Sequence, residues 1–257
     1  MQKIFQKTSA AAIVLLPAVL TGCVHMHMET DIAKDGSGTF TMTYSMSETV
    51  AQSLKELEEL GMPGQQDMDD APTFDDFKKE EIEKACKERD VKLQKFERTT
   101  VDGREFLEMV LTFKHPNDLA DALATAMEEQ GGMRLFKTAS GDYTLRMIEI
   151  PETEDDEDDA EEDDDPHEMT EMDPEKMGKS MEIVGKLMDS LSELDVAMRI
   201  TVPSEILEHN AQRVEGRTLI WEINSSNMMT MSDETNMEPD IVFSGEGVKI
   251  DAPLWSQ

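Results

Sequence analysis

The stretch VHMHMETDIAKDGSGTFTMTYSM, Val24–Met46, alternates side-chain character on both sides of the turn KDGSG. Period-two alternation around a Gly-containing turn is the signature of a β-hairpin. Strand side chains point to opposite faces in turn. His25, His27 and Glu29 therefore share one face, and Val24, Met26 and Met28 share the other. This places Met26 and Met28 towards a core, with His25 and His27 facing out or lying near a membrane. It also separates the soft thioethers from the imidazoles by the thickness of the strand. A copper(I) site mixing the two is excluded on an extended backbone. Two histidines are half of a closed zinc site, and His115, His167 and His209 have no ligand-like spacing to them. The reading therefore expects no metal and no cofactor. Its alternative is a divalent-cation or copper-binding envelope protein that uses this strand or the acidic run described below.

The residues before the hairpin explain its position. Lys3 and Lys7 precede an apolar segment, Ala10 to Leu20, too short to span a bilayer core of ~30 Å comfortably. It ends in Leu20-Thr21-Gly22-Cys23, which resembles the bacterial lipobox. The expectation is a lipoprotein signal peptide over 1–22, cleavage after Gly22 and lipidation of the Cys23 sulfur. Two or three acyl chains give stable anchoring where one does not. Val24 follows the cysteine rather than Asp, so the usual inner-membrane retention signal is missing and the outer membrane is expected where there is one.

The 257-residue chain carries a formal charge of −33. Such a charge excludes nucleic acid as a partner and opposes lying flat on anionic lipid. Cys86 is the only other cysteine, so a lipidated Cys23 leaves no intramolecular disulfide. Phe74, Phe77, Ile82, Ala85 and Cys86 form an apolar helical stripe capped by Thr73, which makes Cys86 a buried structural thiol.

Acidic residues fill twelve of the fourteen positions 152–165, and no Lys or Arg occurs from 152 to 175. Such a run repels itself and cannot offset its ordering entropy by apolar burial. Residues 151–175 are read as a disordered insertion. Counted from Asp155, the sixth position of a calcium loop is Ala160 where glycine is required, so dedicated coordination is not expected there.

The rest of the chain reads as further hairpins and single helices. Ser47 caps a helix with Val50, Leu54, Leu57 and Leu60 on one face. A second hairpin turns at Asp102-Gly103 and a third at Ser140-Gly141-Asp142. Between them a helix starts near Pro116, with Leu119, Leu123, Ala126 and Met127 inward. Pro174 opens a helix whose stripe is Met177, Met181, Val184, Met188 and Leu191. That stripe is expected to pack on the sheet, or to line an apolar groove if the domain accepts a lipid. Three closing strands follow. The fold class is α+β, an antiparallel sheet built from hairpins with helices on one side, formed by residues 23–150 and 176–257 as one domain.

No catalytic pattern emerges. Met177-Gly178-Lys179-Ser180 matches the end of a P-loop, but Asp173 stands where its first glycine belongs and an acidic run replaces the strand. G-x-S-x-G and H-E-x-x-H are absent. No enzyme is expected.

Two segments carry a family likeness, CVHMHMETDIAKDGSGTFTMTYSMSE and MRITVPSEILEHNAQRVEGRTLIWEI. In the second, a strand meets Pro203, Asn210 and Gly216 follow at turns, and a strand ends on Trp221. Both resemble the LppM-like bacterial lipoprotein family. The resemblance implies an envelope-anchored α+β domain without catalytic activity, with an apolar ligand at most. Cys23 is the one functional residue it carries over. The acidic insertion departs from the family, as does the ending APLWSQ where many relatives have a transmembrane helix. The expected partners are the bilayer through acylated Cys23 and an envelope lipid or protein.

Overall fold

The computed structural model describes residues 24–60, 74, 77–127, 131–149, 174–191, 193–227 and 237–255. Its first hairpin, as expected, pairs β1 (Val24–Ile32) with β2 (Gly38–Ser47), with Val24 opposite Met46 and Ile32 opposite Gly38. Gly38 has no room for a side chain, because a Cβ there would overlap the Asp31 carbonyl oxygen and the Phe113 ring. The chain continues through α1 (Glu48–Leu60), α2 (Lys79–Lys87), β3 (Val91–Val101), β4 (Arg104–Phe113), α3 (Pro116–Met127), β5 (Gly131–Lys137) and β6 (Tyr143–Glu149). It ends with α4 (Pro174–Leu191), β7 (Asp195–Thr201), β8 (Ile206–His209), β9 (Arg213–Glu215), β10 (Thr218–Asn224) and β11 (Asp240–Phe243).

The fold class is α+β, with two sheets where one was expected. The larger has the order β3-β4-β2-β1-β7-β10-β9, the smaller β5-β6-β11-β8. The smaller sheet is antiparallel throughout, whereas β1 and β7 pair in parallel. This corrects the expectation of a purely antiparallel sheet. Alternation assigns faces but not strand direction, and β7 enters the sheet after α4 rather than by a hairpin turn.

On the inner face of the large sheet Met42, Tyr44, Leu107, Met109, Leu111, Ile200, Leu219 and Trp221 are buried. Met26 and Met28 pack against this core, as the alternation predicted. The turn at Asp102-Gly103 has positive φ at both residues, 52° and 74°, which places both in the left-handed region that twist-matched two-residue hairpin turns require. Ser47 caps α1, its Oγ accepting the Val50 amide at 3.3 Å. Ser47→Ala is expected to cost about 1 kcal/mol of stability, read as a lower midpoint in urea denaturation.

Two helix expectations are revised. Helix α2 begins at Lys79, so Phe74 and Phe77 precede it, yet both are buried, with their rings tilted against Tyr44 at 4.7 and 5.7 Å between centroids. Thr73, the expected cap, lies outside the described residues. Cys86 is buried, and burial pushes its thiol up, assisted by the charge of Glu83.

The larger revision concerns α4. It buries Ser180, Ile183 and Leu187, while Met177, Met181 and Val184 are exposed, Met181 at 70%. The expected methionine stripe therefore faces away from the core at these three positions. Two stripes of helical spacing lie side by side on this helix, which packs against α1, and the one containing Ser180 is buried. Its hydroxyl donates to the Met177 carbonyl at 2.9 Å, which makes the polar side chain compatible with burial. The helix begins at Pro174, as expected, which takes the last two residues of the span read as the acidic insertion; residues 151–173 lie outside those described.

Candidate functional site

The outer face of the large sheet is polar, and its charged groups pair across strands. Lys95 reaches Glu108 at 2.7 Å and Glu97 at 3.1 Å. Arg199 lies 3.9 Å from both Glu29 and Glu222, and Arg213 holds Glu222 at 2.8 Å. Half-exposed pairs of this kind contribute little stability individually. They do give the face a fixed pattern, and one end of it differs from the rest.

At the end of the sheet where β1 begins, His25 and His27 project from that face, and Asp195 opens the adjacent parallel strand opposite His25. The Asp195 Oδ2 atom lies 3.0 Å from His25 Nδ1 and 3.2 Å from His27 Nε2. The two rings sit 3.8 Å apart at an interplanar angle of 47°. One donor atom from each of the three residues falls within 4.8 Å of the others. His25 is 4% exposed, so it is buried rather than facing out as the alternation alone suggested. His27 and Asp195 are partly exposed.

Burial holds His25 below its usual pKa, with the neighbouring His27 acting in the same direction and Asp195 opposing. Arg104 at the same rim adds a smaller effect that also disfavours the charged ring. The neutral imidazole is the form that donates through one nitrogen and ligates a metal through the other. Ser45 pairs with His25 across β1 and β2 on the same face. It is 1% exposed, and its Oγ has no hydrogen-bond partner among the described residues.

His25 and Ser45 line an open depression of about 300 Å³ together with Thr43, Glu97, Phe106 and Glu108. A second depression of about 370 Å³ lies between α1 and the β3–β4 turn, edged by Glu48, Lys55, Phe74 and Glu105. Carboxylates border both, so neither suits an acyl chain. No helix among the described residues is long and apolar enough to cross a membrane.

The structure therefore brings together His25, His27 and a residue that sequence reading passed over. Asp195 is separated from His27 by 168 positions. Only the parallel register of β1 on β7 makes the two neighbours, and no spacing in the sequence announces it. Cys23 and Gly22 lie outside the described residues, as do His167 and the Met-rich segment 228–231. Pro203 is buried at the end of β7, Gly216 takes φ 66° at the turn into β10, and Trp221 is a buried anchor. Asn210 clamps the start of β11, its Oδ1 accepting the Asp240 amide at 3.0 Å and its Nδ2 donating to the Glu238 carbonyl at 2.7 Å.

No family model matches the chain, and no curated protein matches it. Among solved structures the chain is similar to the folded domain of LppM from Mycobacterium tuberculosis, determined by NMR. The likeness has a TM-score of 0.40 at 9% identity and covers 87% of this chain and 90% of that one. Identity this low transfers neither site residues nor activity.

Proposed function

We propose that the chain is a lipid-anchored, extracytoplasmic binding module of the bacterial envelope, without catalytic activity. The observation that carries this reading is the lipobox Leu20-Thr21-Gly22-Cys23 directly before β1, which starts at Val24. A lipidated Cys23 would stand one peptide unit, ~3.8 Å between Cα atoms, from the first strand residue. The end of the sheet bearing His25, His27 and Asp195 would then lie close to the bilayer surface, and the acidic chain would be held near it by acyl chains rather than by charge.

Val24 in place of Asp after the cysteine favours the outer membrane in an envelope that has one. Two open, carboxylate-bordered depressions favour polar ligands or protein partners over an enclosed lipid. The test is growth with an alkyne-bearing fatty acid, followed by carbonate washing of the membranes. The chain is expected to carry the label and to stay with the washed membranes. An unlabelled chain released by carbonate would contradict the proposal.

A further inference from the structure

We infer that His25, His27 and Asp195 form an open three-ligand site for a divalent transition-metal cation of borderline softness, with Zn²⁺ as its probe.

The donor set decides the class of ion. Two imidazole nitrogens and one carboxylate oxygen suit zinc and its divalent neighbours. Calcium and magnesium require shells built of oxygen. Copper(I) would call for thioethers, and Met26 and Met28 lie on the opposite face of β1, against the core.

The spacing fits as well. Bonds of ~2.0–2.2 Å at tetrahedral angles place ligand atoms about 3.3–3.5 Å apart. The two contacts to Asp195 Oδ2, 3.0 and 3.2 Å, are already close to that edge. All three ligands stand on adjacent hydrogen-bonded strands in the middle of a seven-stranded sheet, not on a loop, so the backbone holds their relative positions.

Three protein ligands leave a fourth position for water. Ser45, whose buried Oγ has no partner among the described residues, lies on the β2 flank of His25, across β1 from Asp195, and is not part of the ligand set. Arg104, whose charge bears on His25, opposes a cation. The Asp195 carboxylate, in contact with both rings, offsets it.

The competing account is that Asp195 merely fastens β1 to β7 by hydrogen bonds from both rings. The two accounts differ in stoichiometry and spectrum. The untagged full chain in detergent, stripped with chelator, is titrated with Zn²⁺ in a large excess of Ca²⁺, which occupies the weak carboxylate sites of 152–165. One Zn²⁺ per chain is expected. His27→Ala and Asp195→Asn, both at partly exposed positions, are each expected to weaken that step by more than about 100-fold, since even supporting residues around metal ligands are worth 10–100-fold. X-ray absorption at the zinc edge should show two imidazoles, oxygen and no sulfur. The inference is overturned if no saturable step survives the Ca²⁺, or if the step persists in both variants. Should either variant fail to fold, the wild-type edge spectrum decides: a shell without two imidazoles overturns the site. These outcomes do not depend on acylation, so they stand apart from the test of the anchor.

Discussion

Trp221→Ala is expected to remove about 3–5 kcal/mol of folding stability, a large part of the ~5–15 kcal/mol that folded domains ordinarily possess. Trp221 sits in the middle of β10, opposite Met198 on β7, and is 1% exposed. Its ring fills the inner face of the large sheet beside Leu219 and Ile200, and a truncated side chain would leave a cavity there. The indole Nε1 is buried without a partner among the described residues. Leaving such a donor unmade costs about 1–3 kcal/mol. Trp221→Phe removes that donor while keeping an aromatic ring, so the two effects oppose each other and the net loss should stay below about 1.5 kcal/mol. Urea denaturation of both variants separates the contributions. Equal losses for Ala and Phe would mean that the indole N–H is satisfied and that the nitrogen, not the ring volume, matters.

Cys23→Ser is expected to abolish acylation completely. A hydroxyl cannot supply the thioether that lipidation at a lipobox forms, and no other cysteine stands near the N-terminus. The apolar stretch Ala10–Leu20 would remain as a weaker membrane attachment. As a helix it would reach ~16 Å, about half of a ~30 Å hydrocarbon core, too short to span it comfortably. Carbonate washing should therefore release most of the variant, whereas the native chain should stay with the membranes. Equal retention of both would place the anchor elsewhere in the chain. The folded domain should be indifferent to the change, because β1 and its pairing begin at Val24.

Much of the fold was legible because hairpins are local. The alternation over Val24–Met46, the left-handed pair Asp102-Gly103 and the turn before Tyr143 each determine a register within about twenty residues, and all three pairings appear as read. The parallel seam between β1 and β7 was not legible, since period-two alternation is the same in either strand direction. Its consequence reaches the site. His25 and His27 were visible as a pair, but Asp195 becomes their neighbour only through that seam. The face of α4 was hidden for a different reason. Met177, Met181 and Val184 share a stripe as regular as Ser180, Ile183 and Leu187, and a scale of hydrophobicity prefers the first. The second wins because Ser180 satisfies its own hydroxyl within the helix and Ile183 and Leu187 bury against the domain. The outer face also departs from a simple polar surface: Ala197 and Ile220 are buried there. Neighbouring long side chains such as Arg199 and Glu222 stand close enough to cover short ones.

The intact mass of the chain isolated from its native membranes tests the anchored-module account most directly. The account predicts a polypeptide beginning at Cys23, heavier than its sequence by a diacylglyceryl group, with or without a third acyl chain on its new amino terminus. A chain that begins at any other residue, or that begins at Cys23 with a free thiol, would contradict it.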